Sequence, residues 1–260
     1  MRVGIIYNPK KKNVEETIKS IREWSRREKV EIVDDPLESQ YVLALGGDGT
    51  MLRAVRTVFK RRIPVMGINL GGLGFLTAFP SSKIKEALND LKNLNFRIEE
   101  RMLLEISYKK EKLHALNDCA INMGPQARTM ELETKVDGEF LSRFTGDGLV
   151  VSTPTGSTAY SLAAGGPILF PMLDCIALTP ISPHSLTARP IVLSPNAKLE
   201  IGLSGKTEEA IMMVDGQERR SIKKPQSIKI KKSGYRAKII MPASVSYFDI
   251  LKKKMNWGGR

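Results

Sequence analysis

Apolar, β-branched runs alternate with amphipathic helical stretches through the first ninety-odd residues, and this alternation restricts the fold more than any other feature of the chain. Arg2 to Tyr7 reads as a first strand, and its apolar part is too short for a secretory signal. Asn13 offers an N-cap, with Glu16 three residues on as in a capping box, and Val14, Ile18, Ile21 and Trp24 follow at helical spacing. Val30 to Val33 and Tyr41 to Leu45 read as buried strands. Thr50 to Phe59 reads as a helix with Leu52, Val55 and Phe59 on one side. Ile63 to Ile68 is the next strand, and Ser82 to Leu94 the next helix, with Ile84, Leu88 and Leu91 inward. Strands that alternate with helices pair in parallel, because the crossover helix returns the chain to the same edge. The expectation is a Rossmann-like α/β domain over residues 1–95 with a parallel sheet.

Near Asn95 the period changes. Short alternating segments follow, among them Leu103 to Tyr108, Leu113 to Asn122, Met130 to Val136 and Glu139 to Thr145. Asp137-Gly138 and Asp215-Gly216 are two-residue hairpin signals, since both positions of such a turn need positive φ. Helical spacing returns briefly after Ser157. A mainly antiparallel β-sandwich is therefore expected over residues 96–235. Ser246 to Met255 is helical again, with Phe248, Leu251 and Met255 on one face, and the tail 236–260 is expected to pack back on the first domain.

Composition narrows the function classes. No uninterrupted apolar run approaches the roughly 18 residues that span a bilayer, which argues against a membrane protein. Cys119 and Cys175 lie far apart in apolar segments and read as buried free thiols; His114 and His184 lack ligand-like spacing, so no zinc site is expected. Together these point to a cytoplasmic protein. The net charge of +13 is concentrated at one end: Glu218 to Arg260 holds 13 Lys/Arg against 2 Asp/Glu. Segments such as Ser227-Ile228-Lys229-Ile230-Lys231 put the lysines on one strand face. With Tyr235 the only aromatic near them, base-stacking platforms are missing, and a solvated outer face is favoured over a nucleic-acid surface.

Three stretches carry candidate chemistry. Gly46-Gly47-Asp48-Gly49-Thr50 follows a buried strand and opens a helix, at the carboxyl end of a parallel strand where open α/β sheets bind ligands. Glycines let backbone approach phosphates, but a carboxylate amid them would repel an anion unless it bound a metal or accepted a proton. An Asp that merely caps the helix is the plain alternative. Asn69-Leu70-Gly71-Gly72-Leu73-Gly74-Phe75-Leu76 also follows a strand, and two such loops suggest one shared nucleotide crevice. Thr145 to Pro167 is dense in hydroxyls and glycines, which suits hydrogen bonding to a sugar, amide or phosphate.

These stretches resemble the NAD kinase family: the GGDGT loop, NLGGLGFL, the pair Asn117-Asp118, TGDGLVVSTPTGSTAYSLAAGGP, Leu178 to Ser185, Arg189-Pro190 and Val214-Asp215-Gly216-Gln217. GGDGT is shared with lipid kinases and phosphofructokinases; the TPTGSTAY run is the discriminating part. The resemblance implies a Rossmann-like domain with a β-sandwich, and transfer of the terminal phosphate of ATP, or polyphosphate, to the 2′-hydroxyl of NAD's adenosine ribose. It implies Asp48 as proton acceptor, Gly49 against the dinucleotide, and Asn117 and Asp118 on the adenosine. Asp147 would serve the nicotinamide side; Thr158, Ala159, Tyr160, Ser161, Leu162 and Ala163 would line NAD. Arg53, Arg128 and Gln217 match further ligand-contacting positions. A divalent cation, Mg²⁺, would accompany the triphosphate, and members are homo-oligomers whose NAD site is completed by a neighbouring subunit. This chain departs from the family's usual Asn-Glu in having Asn117-Asp118, and has Thr145 where many bacterial relatives carry a basic residue. The competing readings are a lipid or sugar kinase built on the same loop, and a nucleotide-responsive nucleic-acid-binding protein.

Overall fold

The computed structural model describes residues 1–124 and 129–257. The chain divides into two compact units, Met1–Glu100 with Ala237–Arg260, and Arg101–Arg236. In chain order the first unit holds β1 (Arg2–Tyr7), α1 (Val14–Glu28), β2 (Glu31–Val33), β3 (Tyr41–Gly46), α2 (Asp48–Val58), β4 (Val65–Asn69), β5 (Phe79–Pro80) and α3 (Ile84–Asn93). Every pairing among these strands is parallel: β1 lies between β2 and β3, and β4 pairs with both β3 and β5. The core between sheet and helices takes Leu43, Leu45, Met66 and Ile68 from the strands. Ile21 and Trp24 come to it from α1, and Leu88 and Leu91 from α3.

The helical face expected of α1 is the one that is buried, but its start differs. Asn13 sits at φ 63° and its side chain caps nothing, so the capping box is absent. An N-cap needs extended backbone to aim its side chain at the first turn, and a left-handed Asn turns it away.

The second unit opens within β6 (Phe96–Tyr108) and continues through β7 (Glu111–Ala115), β8 (Asp118–Met123), β9 (Met130–Val136), β10 (Glu139–Gly146) and β11 (Gly148–Ser152). There follow α4 (Tyr160–Ala163), β12 (Ile176–Ile181), β13 (Ile191–Leu193), β14 (Leu199–Leu203), β15 (Glu209–Val214), β16 (Glu218–Lys223) and β17 (Ser227–Pro242), whose last residues run parallel to β4 in the first unit's sheet. Six strands form one antiparallel sheet in the order β13-β12-β11-β8-β15-β16. Opposite them, β10, β9, β14 and the start of β17 pair antiparallel, as do β6 and β7. Inward residues from both layers, among them Ile121, Val151 and Met212 on one side and Leu132, Ile201 and Ile230 on the other, make a single core. That is a β-sandwich. Asp137 and Gly138 (φ 53° and 89°), like Asp215 and Gly216 (φ 50° and 64°), turn their hairpins with paired positive φ.

The chain ends in α5 (Tyr247–Met255), entered through a capping box between Ser246 and Asp249. Its buried residues are Ile250 and Leu251, whereas Phe248 is 57% exposed, so the inward face is rotated from the one the sequence suggests. On β17, Ile228 and Ile230 are buried and Lys229 and Lys231 exposed, which makes the lysine stripe an outer face. Cys119 is buried and Cys175 only half-buried, both as free thiols. No helix among the described residues is long and apolar enough to cross a membrane.

Candidate active site

In the first unit, the carboxyl ends of three parallel strands lie side by side: Leu45 of β3 is in register with Tyr7 of β1, and Gly46 with Asn69 of β4. The chain leaves β3 through Gly46, where a methyl group would overlap the Thr50 hydroxyl, and Gly47, which is the extended N-cap of α2. Asp48 is thus the first residue of α2 and not its cap. Its carboxylate reaches across to the second glycine loop. One oxygen accepts the Phe75 N–H at 2.9 Å; the other accepts the Leu76 N–H at 3.1 Å, the Thr77 N–H at 3.2 Å and the Thr77 hydroxyl at 3.1 Å. Gly74 permits this approach, because a methyl group there would overlap both that carboxylate oxygen and the Thr77 hydroxyl. The two glycine loops therefore form one structure with Asp48 at its centre. Gly49 is exposed beside it, and Arg53, one turn along α2, donates to the Tyr7 carbonyl.

In the second unit, a cavity of about 310 Å³ is lined by Asn117, Asp118, Ala120, Asn122, Ala159, Tyr160, Met213, Asp215 and Gly216. Four residues that the sequence singles out, Asn117, Asp118, Ala159 and Tyr160, meet there. Two that it misses organise the site. Asn122 accepts the Tyr160 hydroxyl at 3.1 Å. Asp215, read in the sequence as a hairpin residue inside the family-like stretch Val214–Gln217 and not as a site residue, accepts the backbone N–H groups of Leu116, Asn117 and Asp118 at 3.0, 2.7 and 3.2 Å. It thereby holds the segment that presents Asn117 and Asp118 to the cavity. No local pattern could have revealed bonds spanning about a hundred residues. A larger groove of about 490 Å³ over β14 and β17 contains none of the expected site residues.

The hydroxyl-rich run is put to a different use than its composition suggests. Thr153 donates to the Leu116 carbonyl and Ser157 to the Pro154 carbonyl, Thr155 accepts from Arg101, and Ser161 pairs with Thr179 at 3.0 Å. Gly156 packs on the Asn117 carbonyl so closely that any side chain would overlap it. These hydroxyls are thus spent on the protein itself: Thr153 ties the run to the Asn117 segment, and the others tie it to its own backbone, to β6 and to β12. The remaining candidates lie apart from the cavity lining: Thr158 and Leu162 are half-buried, Ala163 and Gln217 exposed. Asp147 joins β10 to β11, where its carbonyl accepts the Met123 N–H and its own N–H meets Ile181. Arg128 lies outside the described residues.

Charge is concentrated around Asp118. Burial, with the nearby Asp215 carboxylate adding to it, pushes the Asp118 carboxyl up to about 7. Burial and the charges of Asp147 and Asp118 push the Tyr160 phenol upward as well. A carboxyl raised in the folded state favours folding fully below its unfolded pKa near 4, and that contribution is lost as pH rises through 7. Relative to Asp118→Asn, the unliganded wild-type protein should therefore lose roughly 2–3 kcal/mol more stability at pH 8 than at pH 5. Guanidinium denaturation of both proteins at the two pH values measures the gap, and an equal gap at both would contradict it.

Residues 36–96 match the ATP-NAD kinase N-terminal domain and residues 116–241 the ATP-NAD kinase C-terminal domain. An NAD kinase of Geotalea daltonii is 42% identical over 87% of this chain and 82% of its own length. One of Fusobacterium nucleatum is 36% identical over 99% and 98%. Among solved structures, an Archaeoglobus fulgidus NAD kinase in complex with ATP superposes with a TM-score of 0.81 at 28% identity, over 100% of this chain and 98% of that one. A yeast NADH kinase complexed with NADH has the same fold, with a TM-score of 0.87 at 24% identity, covering 100% and 89%. The α/β unit with its glycine-bounded carboxylate, joined to a β-sandwich, is the architecture of a nucleotide-directed kinase. The chain belongs to the NAD kinase family.

Proposed function

We propose that this protein transfers the terminal phosphate of ATP, or of polyphosphate, to the 2′-hydroxyl of the adenosine ribose of NAD, yielding NADP. The observation that carries the reading is the match of both kinase domains, the first containing Asp48 and the second running from Leu116 beyond Gln217. In the reaction, the ribose 2′-oxygen bonds to the γ-phosphorus as the bond from that phosphorus to the β–γ bridging oxygen breaks. ADP departs, and the hydroxyl proton passes to Asp48. A carboxylate within about 3 Å assists because an un-ionised hydroxyl is a weak nucleophile. Alignment and neutralisation of the transferred group's charge supply the larger share of the acceleration.

Asn117 and Asp118 hold the adenosine, with Ala159 and Tyr160 on the wall of the same cavity. Asp147 serves the nicotinamide side. Gly49, Arg53, Gln217 and the segment Thr158–Ala163 contribute further contacts; Ser161, whose hydroxyl is bonded to Thr179, offers backbone rather than side chain. Among the described residues no three acidic, imidazole or thiolate side chains converge as a metal cage. Mg²⁺ would accompany the triphosphate and supply neutralisation of its charge. The protein acts in the cytoplasm as a homo-oligomer. Ile191 and Val192 on the edge strand β13, with Leu186 at 90% exposure nearby, are the apolar surface that supports assembly.

Incubation with ATP, Mg²⁺ and NAD should yield NADP, read by an NADP-specific dehydrogenase. Phosphorylation of diacylglycerol in place of NAD would overturn the assignment.

A further inference from the structure

Asn69, at the end of β4, and Thr77, just beyond the second glycine loop, are both buried, at 3% and 0% exposure. The Asn69 side-chain oxygen accepts the Gly71 N–H at 2.7 Å, which fixes the orientation of the amide. Its nitrogen then faces Thr77 and donates to the hydroxyl oxygen at 2.7 Å. A threonine hydroxyl has one proton, and with a donor already aimed at its oxygen that proton has, among the described residues, one acceptor in reach, the Asp48 carboxylate at 3.1 Å. The proton direction along Asn69–Thr77–Asp48 is thereby set by geometry alone.

The consequence is an asymmetric carboxylate. Among the described residues, the Asp48 oxygen facing Thr77 receives three donors and the other the Phe75 N–H alone. Each carboxylate oxygen offers two lone-pair directions, so the first is saturated and the second keeps one open. We propose that Thr77, aimed by Asn69, is a positioning residue that fixes the rotation of the Asp48 carboxylate, anchoring one oxygen and leaving the other to take the substrate hydroxyl proton. This rests on Asp48 being the proton acceptor. The cations near this loop are Arg53 on α2, Lys11 near Gly71 and Lys254 of α5 over the Phe75 ring. None of them is altered by the variants below.

The test compares Thr77→Val, Thr77→Ser, Asn69→Leu and Asp48→Asn in steady-state NADP formation. Losing the hydroxyl should lower kcat about tenfold and leave both KM values within about twofold, the split expected when the carboxylate is misaligned and the binding surfaces are intact. Thr77→Ser, which keeps the hydroxyl, should restore the rate. Asn69→Leu should lower kcat by less with KM again unchanged, and decides the matter if Thr77→Val does not fold. An unchanged kcat in Thr77→Val, or in Asn69→Leu standing in for it, overturns the proposal, as does a Thr77→Ser enzyme as impaired as Thr77→Val. Near-normal turnover by Asp48→Asn removes the base assignment and this inference together; an inactive Asp48→Asn beside an unaltered Thr77→Val removes this inference alone.

Discussion

Asp48→Asn should reduce NADP formation by about 10²- to 10⁴-fold while the protein still folds, the range typical for loss of a positioned general base. The substitution changes charge and donor pattern but hardly any volume. An amide has only one acceptor oxygen, which turns toward the three donors from Leu76 and Thr77, while its NH₂ group confronts the Phe75 N–H. That leaves one backbone donor without an acceptor, at a cost of about 1–3 kcal/mol. A domain typically has about 5–15 kcal/mol in hand, so the fold survives. Affinity for NAD should change only severalfold, because the lost interaction belongs to the transition state. Turnover within tenfold of wild type would remove Asp48 from the chemistry.

Asp215→Ala should produce the largest loss of stability of any single change at the second unit's cavity. Its carboxylate is the acceptor for three backbone N–H groups in a segment where Leu116 and Asp118 are buried. Each abandoned donor costs about 1–3 kcal/mol, and relief of the repulsion with Asp118 offsets part of the total, so about 3–6 kcal/mol is expected. Asp215→Asn keeps one acceptor oxygen and should lose about half as much. Because the same bonds orient Asn117 and Asp118, the alanine variant should also bind NAD weakly even where it remains folded. Chemical denaturation and NAD titration check both effects. An alanine variant within 1 kcal/mol of wild type would show that the Asn117 segment is held by other means.

The contrast between Asp48 and Asp215 explains what was legible in the sequence. Period and turn chemistry are local, and they gave the parallel α/β unit, the β-sandwich and both Asp-Gly hairpins. Family resemblance placed attention on Asp48, Asn117 and Asp118. What local pattern does not hold is the partner of a side chain far along the chain. Asp48 is bonded 27 to 29 residues away and Asp215 97 to 99 residues away, so the first was legible as a carboxylate in a turn and the second as a turn within a family-like stretch, without its role. The hydroxyls of Thr153, Thr155, Ser157 and Ser161 invited a ligand reading because composition does not distinguish outward from inward donors. Helix ends were the other weak point. Asn13 has the residue type of a cap but a left-handed backbone, and Phe248 has the spacing of a core residue but lies in solvent.

A crystal structure of the protein with NAD bound tests the central claim most directly. The account predicts the adenosine ribose 2′-oxygen within about 3 Å of the Asp48 carboxylate oxygen that faces Phe75, hydrogen-bond distance for proton transfer. NAD bound with that oxygen remote from every Asp48 in the assembly would contradict it.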